Sequence, residues 1–374
     1  MKKIVWIALA LFLYACTSEL SQPDPVPMVG STDLEERAAI EVIAADAVGT
    51  ETAHIIMAGD YSAFLFENPA DRWDAIDDAA WGDIPLGPPA GYYDDVDESS
   101  STALRDSLHL IISSSHTESF DYTHSSRPGD ADHKVDVWDI TALADESPTS
   151  ASRIIDLYRN AQYTKQFTGA GSRNYDREHV WPKSFGFKRN ENNNESPGKG
   201  NRAYVDCHHL FPARSDYNMT RSNRPFGPRD EDGVEFATIK NFGRGGSLTE
   251  GDDSSNWAMG PMDERGLWEV WLGRRGDAAR AIFYMDVRYE GDAGEAQLSL
   301  TNTQSDINDA LATQKAWLSG AVAFMGLQDT LIEWHEDDPV DEMERRRNSV
   351  VFLFQGNRNP FIDHPEWVAV VYAE

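Results

Sequence analysis

Three stretches of this chain hold side chains that can do chemistry together. Arg177-Glu178-His179-Val180-Trp181-Pro182 sets a carboxylate directly before an imidazole. Asp206-Cys207-His208-His209-Leu210-Phe211-Pro212 follows, and Asn218 stands six residues after Pro212. Histidine suits a base that must act near neutral pH. Carboxylate and amide oxygens suit a hard divalent cation such as Mg²⁺. Arginines grip phosphate through paired N–H donors. Water activation, charge neutralisation and phosphate binding are the three needs of phosphodiester hydrolysis, and these residue types meet all three.

The elements around them must satisfy a geometric condition. Neighbouring residues on a regular strand face opposite ways, so Glu178 and His179 can share one cation site only from a strand end or bulge. Pro182 is consistent with a strand that finishes early. Residues 170–210 lack a helical period and read as loops with short strands. Asn218 is expected on a short helix from about Ser215 to before Pro225, with Arg221 at i+3 on the same face.

Elsewhere helical spacing dominates. Leu104, Leu108, Ile111 and Ile112 mark one helix that ends in Ser113–Ser115. Pro148 is expected to open another that buries Ile154, Ile155 and Tyr158. Asp277 is expected to cap a helix running through Ile282 and Met285. Asp338-Pro339 is expected to start a long one that Gly356 closes. The expected class is α+β, mostly helical, with a small irregular β element in the middle.

Charge narrows the partners. The 374 residues carry a formal net charge of −30, a surface that repels nucleic acid unless some region reverses the sign. Residues 173–229 do so, with eleven Lys/Arg against six Asp/Glu. The N-terminus reads as an export signal (residues 1–15): Lys2 and Lys3 precede the apolar run Ile4–Tyr14, too short to span a bilayer. Leu13-Tyr14-Ala15-Cys16 resembles a lipoprotein cleavage box, which implies a lipid anchor on Cys16 and a place at the outer membrane or cell surface. Ordinary secretion is the alternative, because Tyr14 is bulky for such a box. Residues 16–32 then form a proline-bearing tether, opened out by Pro23, Pro25 and Pro27. Asp33 and Glu36 fit a capping box for a helix to about Ala45, and residues 33–91 read as a solvated acidic accessory segment. With Cys16 as the one other cysteine, Cys207 has no disulfide partner after processing.

From about Tyr92 onward a resemblance enters. "REHVWPKS", "DCHHLFPARSDYNMTRSNRPFG" and "QGNRNPFIDHPEW" are similar to motifs of the bacterial endonuclease I family of secreted nucleases, within the His-Me finger (ββα-metal) group. "GDAARAIFYMDVRYEG" and "DPVDEMERRRN" add two stretches in the same order. The resemblance implies a nuclease domain over residues 92–374, in which a two-stranded β element and one helix grip a single metal. It implies His179 as general base and Glu178 and Asn218 as ligands of Mg²⁺, with Mn²⁺ or Ca²⁺ as substitutes. It also implies an arginine on the scissile phosphate, for which Arg189 and Arg202 are candidates and Arg202 the favoured one. Arg221, Asn223 and His209 are candidate substrate-binding residues. The pair His208-His209 departs from the His-Asn of other members, which leaves the role of the second histidine open. The implied activity is hydrolysis of DNA, with RNA a second candidate substrate, with little regard to sequence and by a monomer.

Plainer readings stand beside these. Glu178 can simply pair with Arg177 or Lys183, Asn218 can be a cap, and His208 and His209 can be structural. Arg221 and Asn223 can satisfy helix ends, Trp181 reads as core, and "QGNRNPFIDHPEW" reads as a docked tail. Two other function classes are a zinc hydrolase using Cys207, His208, His209 and His179, and a non-catalytic surface lipoprotein that binds nucleic acid. Adjacent histidines rarely reach one metal, and no familiar zinc spacing is present.

Overall fold

A computed structural model describes residues 40–41, 56–57, 59–123, 130, 133–165, 175–186, 202–246, 253–260, 266–292, 295–303, 305–306 and 322–373. All belong to one unit, Ala38–Glu374. The export signal, Cys16, the tether, the Asp33/Glu36 capping box and Arg189 lie outside the described residues.

Helices and strands are interspersed along the chain. The first half holds β1 (Ile40–Glu41), β2 (Ile56–Met57), α1 (Pro69–Asp77), α2 (Ser101–Ser114), α3 (Val137–Ala144), β3 (Glu146–Ser147), β4 (Ser150–Ile155) and β5 (Gln162–Thr164). Then come β6 (Tyr175–His179), α4 (Arg202–Val205), β7 (Leu210–Arg214), α5 (Ser215–Arg221), β8 (Val234–Ala237), β9 (Ser255–Ala258) and β10 (Trp268–Glu269). The last part holds α6 (Arg275–Arg288), β11 (Leu298–Thr301), β12 (Ala323–Leu327), α7 (Gln328–Asp337), α8 (Glu342–Gln355), α9 (Pro360–Asp363) and α10 (Trp367–Val371). The fold is mixed α and β, with small sheets set among helices; β6 and β7 form a two-stranded antiparallel sheet of their own. No described helix is long and apolar enough to cross a membrane.

The helices follow their local signals. Ser100 Oγ accepts from Ala103 N at 3.1 Å to cap α2, whose Leu104, Leu108 and Ile112 are fully buried. Asp341 and Glu344 form a reciprocal capping box at the start of α8, and Gly356, at φ +87°, ends it in the left-handed region that favours glycine. α8 therefore starts after Asp341 and not at Asp338-Pro339. α6 starts at Arg275, two residues ahead of Asp277, so Asp277 sits in its first turn and pairs with Arg274 at 2.9 Å.

Three expectations change. Pro148 opens no helix: Ser147 pairs with Ser150, so Pro148-Thr149 is the two-residue turn of the β3–β4 hairpin. Proline fits the first central position of such a turn, and Ile154 and Ile155 are buried from a strand. Ile40–Glu41 pairs antiparallel with Ile56–Met57 instead of continuing a helix to Ala45, in keeping with the β-branched content of the run. Residues 59–91 are not a solvated appendage. Tyr61, Phe64, Ile76 and Ile84 join the main hydrophobic core. Tyr61 Oη lies 2.9 Å from Ser349 Oγ of α8, and Arg72 Nη1 donates to Leu353 O at 2.6 Å.

The tail is docked as expected. Asn359 Oδ1 accepts from Phe361 N at 3.0 Å and caps α9. Arg358 is fully buried in a two-point pair with Asp363, at 2.7 Å for each contact, so Asp363 serves a guanidinium where a backbone cap was expected.

Candidate active site

β6 ends at His179, and this termination answers the geometric condition. Glu178 lies opposite Phe211 and His179 opposite Leu210 in the β6–β7 register, with one further bond from Val180 N to His209 O at 3.0 Å. β7 runs directly into α5, where Asn218 occupies the fourth position. Glu178, His179, Asn218 and Asn223 line one cavity of about 440 Å³, together with Lys183 and Tyr122. A strand end and the helix after its partner strand thus bring residues forty positions apart to one opening.

Glu178 is anchored through one oxygen. Its Oε1 accepts from Tyr158 Oη at 2.7 Å and from Arg221 Nη1 at 2.9 Å. Among the described residues nothing donates to Oε2. Burial pushes the Glu178 carboxyl above its ordinary range, against the downward pull of Arg221 and Tyr158. The Asn218 side chain is half-buried, and neither of its amide atoms bonds another described residue. One carboxylate oxygen and one amide oxygen at the same cavity make a donor set that suits a hard divalent cation, and Mg²⁺ is commonly held by few protein oxygens with water completing the shell.

The His179 imidazole is held neutral. Its Nε2 is 3.0 Å from Tyr204 O. A carbonyl only accepts, so Nε2 carries the proton and the lone pair is on Nδ1. Burial pushes the imidazole well below its ordinary pKa; His209 and the cationic Lys183 and Arg177 add to the push, while the Tyr204 carbonyl opposes it. The four-residue α4 carries Tyr204 to that position.

The remaining expected residues divide. Arg221 is fully buried and donates to Glu178 Oε1, His179 O at 2.9 Å and Val180 O at 2.6 Å, so it braces the end of β6, and it does not line the cavity. His209 is fully buried with Nε2 2.7 Å from Ala203 O, and it does not line the cavity either. Arg202 does not line the cavity; its Nη1 donates to His116 O. Among its described members the basic window is largely spent on the fold: Arg214 pairs with Asp216 at 2.7 Å, Arg224 donates to Gly260 O at 3.0 Å, and Arg229 pairs with Asp253 at 2.9 Å. Lys183 is the exposed member of that window at the cavity among the described residues.

The residues of the zinc reading do not converge. Cys207 is fully buried with Sγ on Val205 O at 3.7 Å, and His208 Nε2 lies 3.1 Å from Asn357 O. No three His, Cys, Asp or Glu side chains among the described residues are placed to hold one ion. Tyr158, Tyr122 and Tyr204 were not anticipated as site residues. Their signal is tertiary: Tyr158 is twenty positions from the carboxylate it holds.

The chain matches the Endonuclease I family over residues 101–366. It is 32% identical over 282 residues to an extracellular ribonuclease of Bacillus subtilis (strain 168), covering 75% of this chain and 78% of that one. It is 34% identical over 282 residues to an extracellular ribonuclease of Bacillus amyloliquefaciens, with the same two shares. The matched span encloses Glu178, His179 and Asn218, and the chain belongs to the Endonuclease I family.

Proposed function

We propose that this protein is an exported, metal-dependent endonuclease that hydrolyses phosphodiester bonds of RNA and DNA with little sequence preference. The observation that carries the reading is the meeting of Glu178, His179 and Asn218 at one cavity, with one Glu178 oxygen tied down and the other without a donor among the described residues. The β6–β7 pair followed by α5 then serves as a ββα-metal (His-Me finger) element.

Glu178 Oε2 and Asn218 Oδ1 would hold a divalent cation, with Mg²⁺ the favoured species and Mn²⁺ or Ca²⁺ as substitutes. When bound, that cation neutralises charge building on the phosphate oxygens and on the leaving oxygen. His179 Nδ1 takes one proton from water as the water oxygen bonds to phosphorus. The P–O3′ bond breaks, leaving a 5′-phosphate and, after protonation from solvent, a 3′-hydroxyl. Water and not the ribose 2′-hydroxyl is the nucleophile, so neither sugar is excluded. Lys183 and Asn223, which line the cavity, would meet phosphates beside the scissile one. The names of the two relatives favour RNA as a substrate and the outside of the cell as destination. Cys16 would add a lipid anchor if acylated.

The test is to incubate the purified protein with supercoiled DNA and with a structured RNA, with Mg²⁺ and with chelator. Cleavage of either polymer that chelator abolishes is expected. Binding without cleavage under every metal condition would favour a non-catalytic binder.

A further inference from the structure

Four side chains form a column that ends on His179. The Arg177 guanidinium carbon lies 4.1 Å from the Trp138 ring centroid and 3.4 Å from that of Tyr122. The Tyr122 and His179 rings lie 5.6 Å apart with planes 25° from parallel. Arg177 and His179 are i and i+2 on β6, so they share a face about 7 Å apart. That gap is the space needed for one aromatic ring with contact on both sides, and Tyr122 fills it.

The backbone fixes the width of the slot. Asp121 and Asp136 pair in a parallel bridge, and Val137 N donates to Asp121 O at 3.1 Å. Asp136 Oδ1 in turn accepts from Trp138 N at 2.7 Å and starts α3. Tyr122 and Trp138 therefore leave from either side of one fastened point, with the flat guanidinium between them.

Arg177 lines the cavity, yet it is not arranged as a phosphate ligand. Its Nη2 donates to Thr123 Oγ1 at 3.0 Å, and Nε and Nη1 are buried with no hydrogen-bond partner among the described residues. What it presents to its neighbours is a planar face. His179, meanwhile, has one edge tied by Nε2 to Tyr204 O and one face covered by Tyr122. The hydrogen bond fixes one end of the imidazole, Tyr122 lies along its face, and Tyr204 and His209 meet the ring at 53° and 56°.

We propose that Tyr122 and Arg177 are positioning residues that set the tilt of His179, with Arg177 serving as a stacking plate and not as a phosphate contact. This rests on the reading of His179 as the general base. A misaimed base costs rate and not substrate affinity, which separates this role from phosphate binding.

The experiment uses the full chain with Tyr122→Leu, Tyr122→Phe, Arg177→Lys and His179→Ala, and follows cleavage of an RNA oligonucleotide with Mg²⁺. Tyr122→Leu is expected to lower kcat by about tenfold to 10²-fold with KM within about twofold, and Tyr122→Phe to restore most of that loss. Arg177→Lys, whose ammonium cannot stack flat, is expected to lower kcat in the same way. It carries the test by itself if Tyr122→Leu melts below the assay temperature. A second readout needs no turnover: ¹⁵N spectra of histidine-labelled protein, with His179 assigned by its loss in His179→Ala. The wild type is expected to show a single Nε2–H tautomer for His179 and Tyr122→Leu a mixture. Wild-type kcat and spectrum in Tyr122→Leu would overturn the proposal while leaving the catalytic reading intact. So would Arg177→Lys with normal kcat, raised KM and a shallower salt dependence, the signature of a phosphate ligand. Full activity in His179→Ala would take down both readings together.

Discussion

Arg221 and Glu178 form a buried ion pair, Nη1 to Oε1 at 2.9 Å, with side-chain exposures of 0% and 2%. The guanidinium also carries the carbonyls of His179 and Val180, so one side chain fixes both the carboxylate and the end of the strand beneath it. Removing one member of such a pair strands the other charge in a poorly solvating interior. Arg221→Met should therefore lose about 3–5 kcal/mol of stability in urea denaturation. Adding Glu178→Gln should return part of it, because the stranded charge is gone. A role in substrate binding alone would leave the urea midpoint in place and change only the salt dependence of cleavage.

Tyr158 supplies the second donor to the same oxygen, at 2.7 Å. With Oε1 occupied, Glu178 can offer a cation a single oxygen of fixed direction. Loss of a partner that orients a ligand typically weakens metal binding by about 10–100-fold. Tyr158→Phe is expected to show a loss of that order for Mn²⁺ or Mg²⁺ by isothermal titration, with the fold retained. An unchanged affinity would mean that the tyrosine is only a core hydroxyl.

A second buried polar group should make the fold sensitive to acid. Asp206 is fully buried and accepts from Tyr284 Oη at 2.7 Å, Tyr289 Oη at 2.8 Å, Gln355 Nε2 at 3.0 Å and His208 N at 3.0 Å. Burial works against its charge, but the adjacent histidines and these donors outweigh that and hold its pKa below the ordinary carboxylate range. Burial also pushes His116 and His208 down to about 4 from an ordinary 6.5, with Asp206 pulling the other way. The unfolded chain takes up these protons below about 6.5 and the folded chain only near about 4. Their contribution is thus complete above 6.5 and is lost as pH falls through that window. Each histidine removes up to about 1.4 kcal/mol per pH unit there. Urea midpoints between pH 7.5 and 4.5 should fall steadily on the acid side, and His208→Gln should flatten the curve. A flat profile in the wild type would show that the two imidazoles titrate normally.

How much of this was written in the sequence depends on how local each feature is. The end of β6 at His179, α5 from Ser215, the burial of Trp181 and the closure of α8 by Gly356 all follow from signals within a few residues. Pro148 misled because its fixed φ suits both the first turn of a helix and the first central position of an ordinary turn, and the choice between them lay in the pairing of Ser147 with Ser150. The acidic composition of residues 50–100 concealed Tyr61 and Ile76, whose partners are in α8 and the core far along the chain. The arginines were hardest to place. A guanidinium has the same local signature whether it meets a phosphate, a carboxylate or a carbonyl. Arg202 and Arg221 turned out to serve His116 O and Glu178.

The turn that follows α5 carries a cost that can be relieved. Ser222 has φ +53° and ψ −115°, and Arg224 N donates to Arg221 O at 3.0 Å, the geometry of a type II′ turn with a non-glycine at its first central position. Ser222→Gly should raise stability by about 1 kcal/mol by removing that strain. Ser222 and Asn223 both line the cavity, so the same change should raise KM through looser placement of Asn223. A Tm that falls in Ser222→Gly would show that the serine side chain contributes more than its backbone costs.

The central claim is that His179 removes the proton from the attacking water. Single-turnover cleavage of a labelled RNA by His179→Ala, with saturating Mg²⁺ and a melting curve to show that the variant is folded, tests it most directly. The account predicts a rate lower by about 10²- to 10⁴-fold with cation affinity preserved. A folded His179→Ala protein that cleaves at the wild-type rate would contradict it.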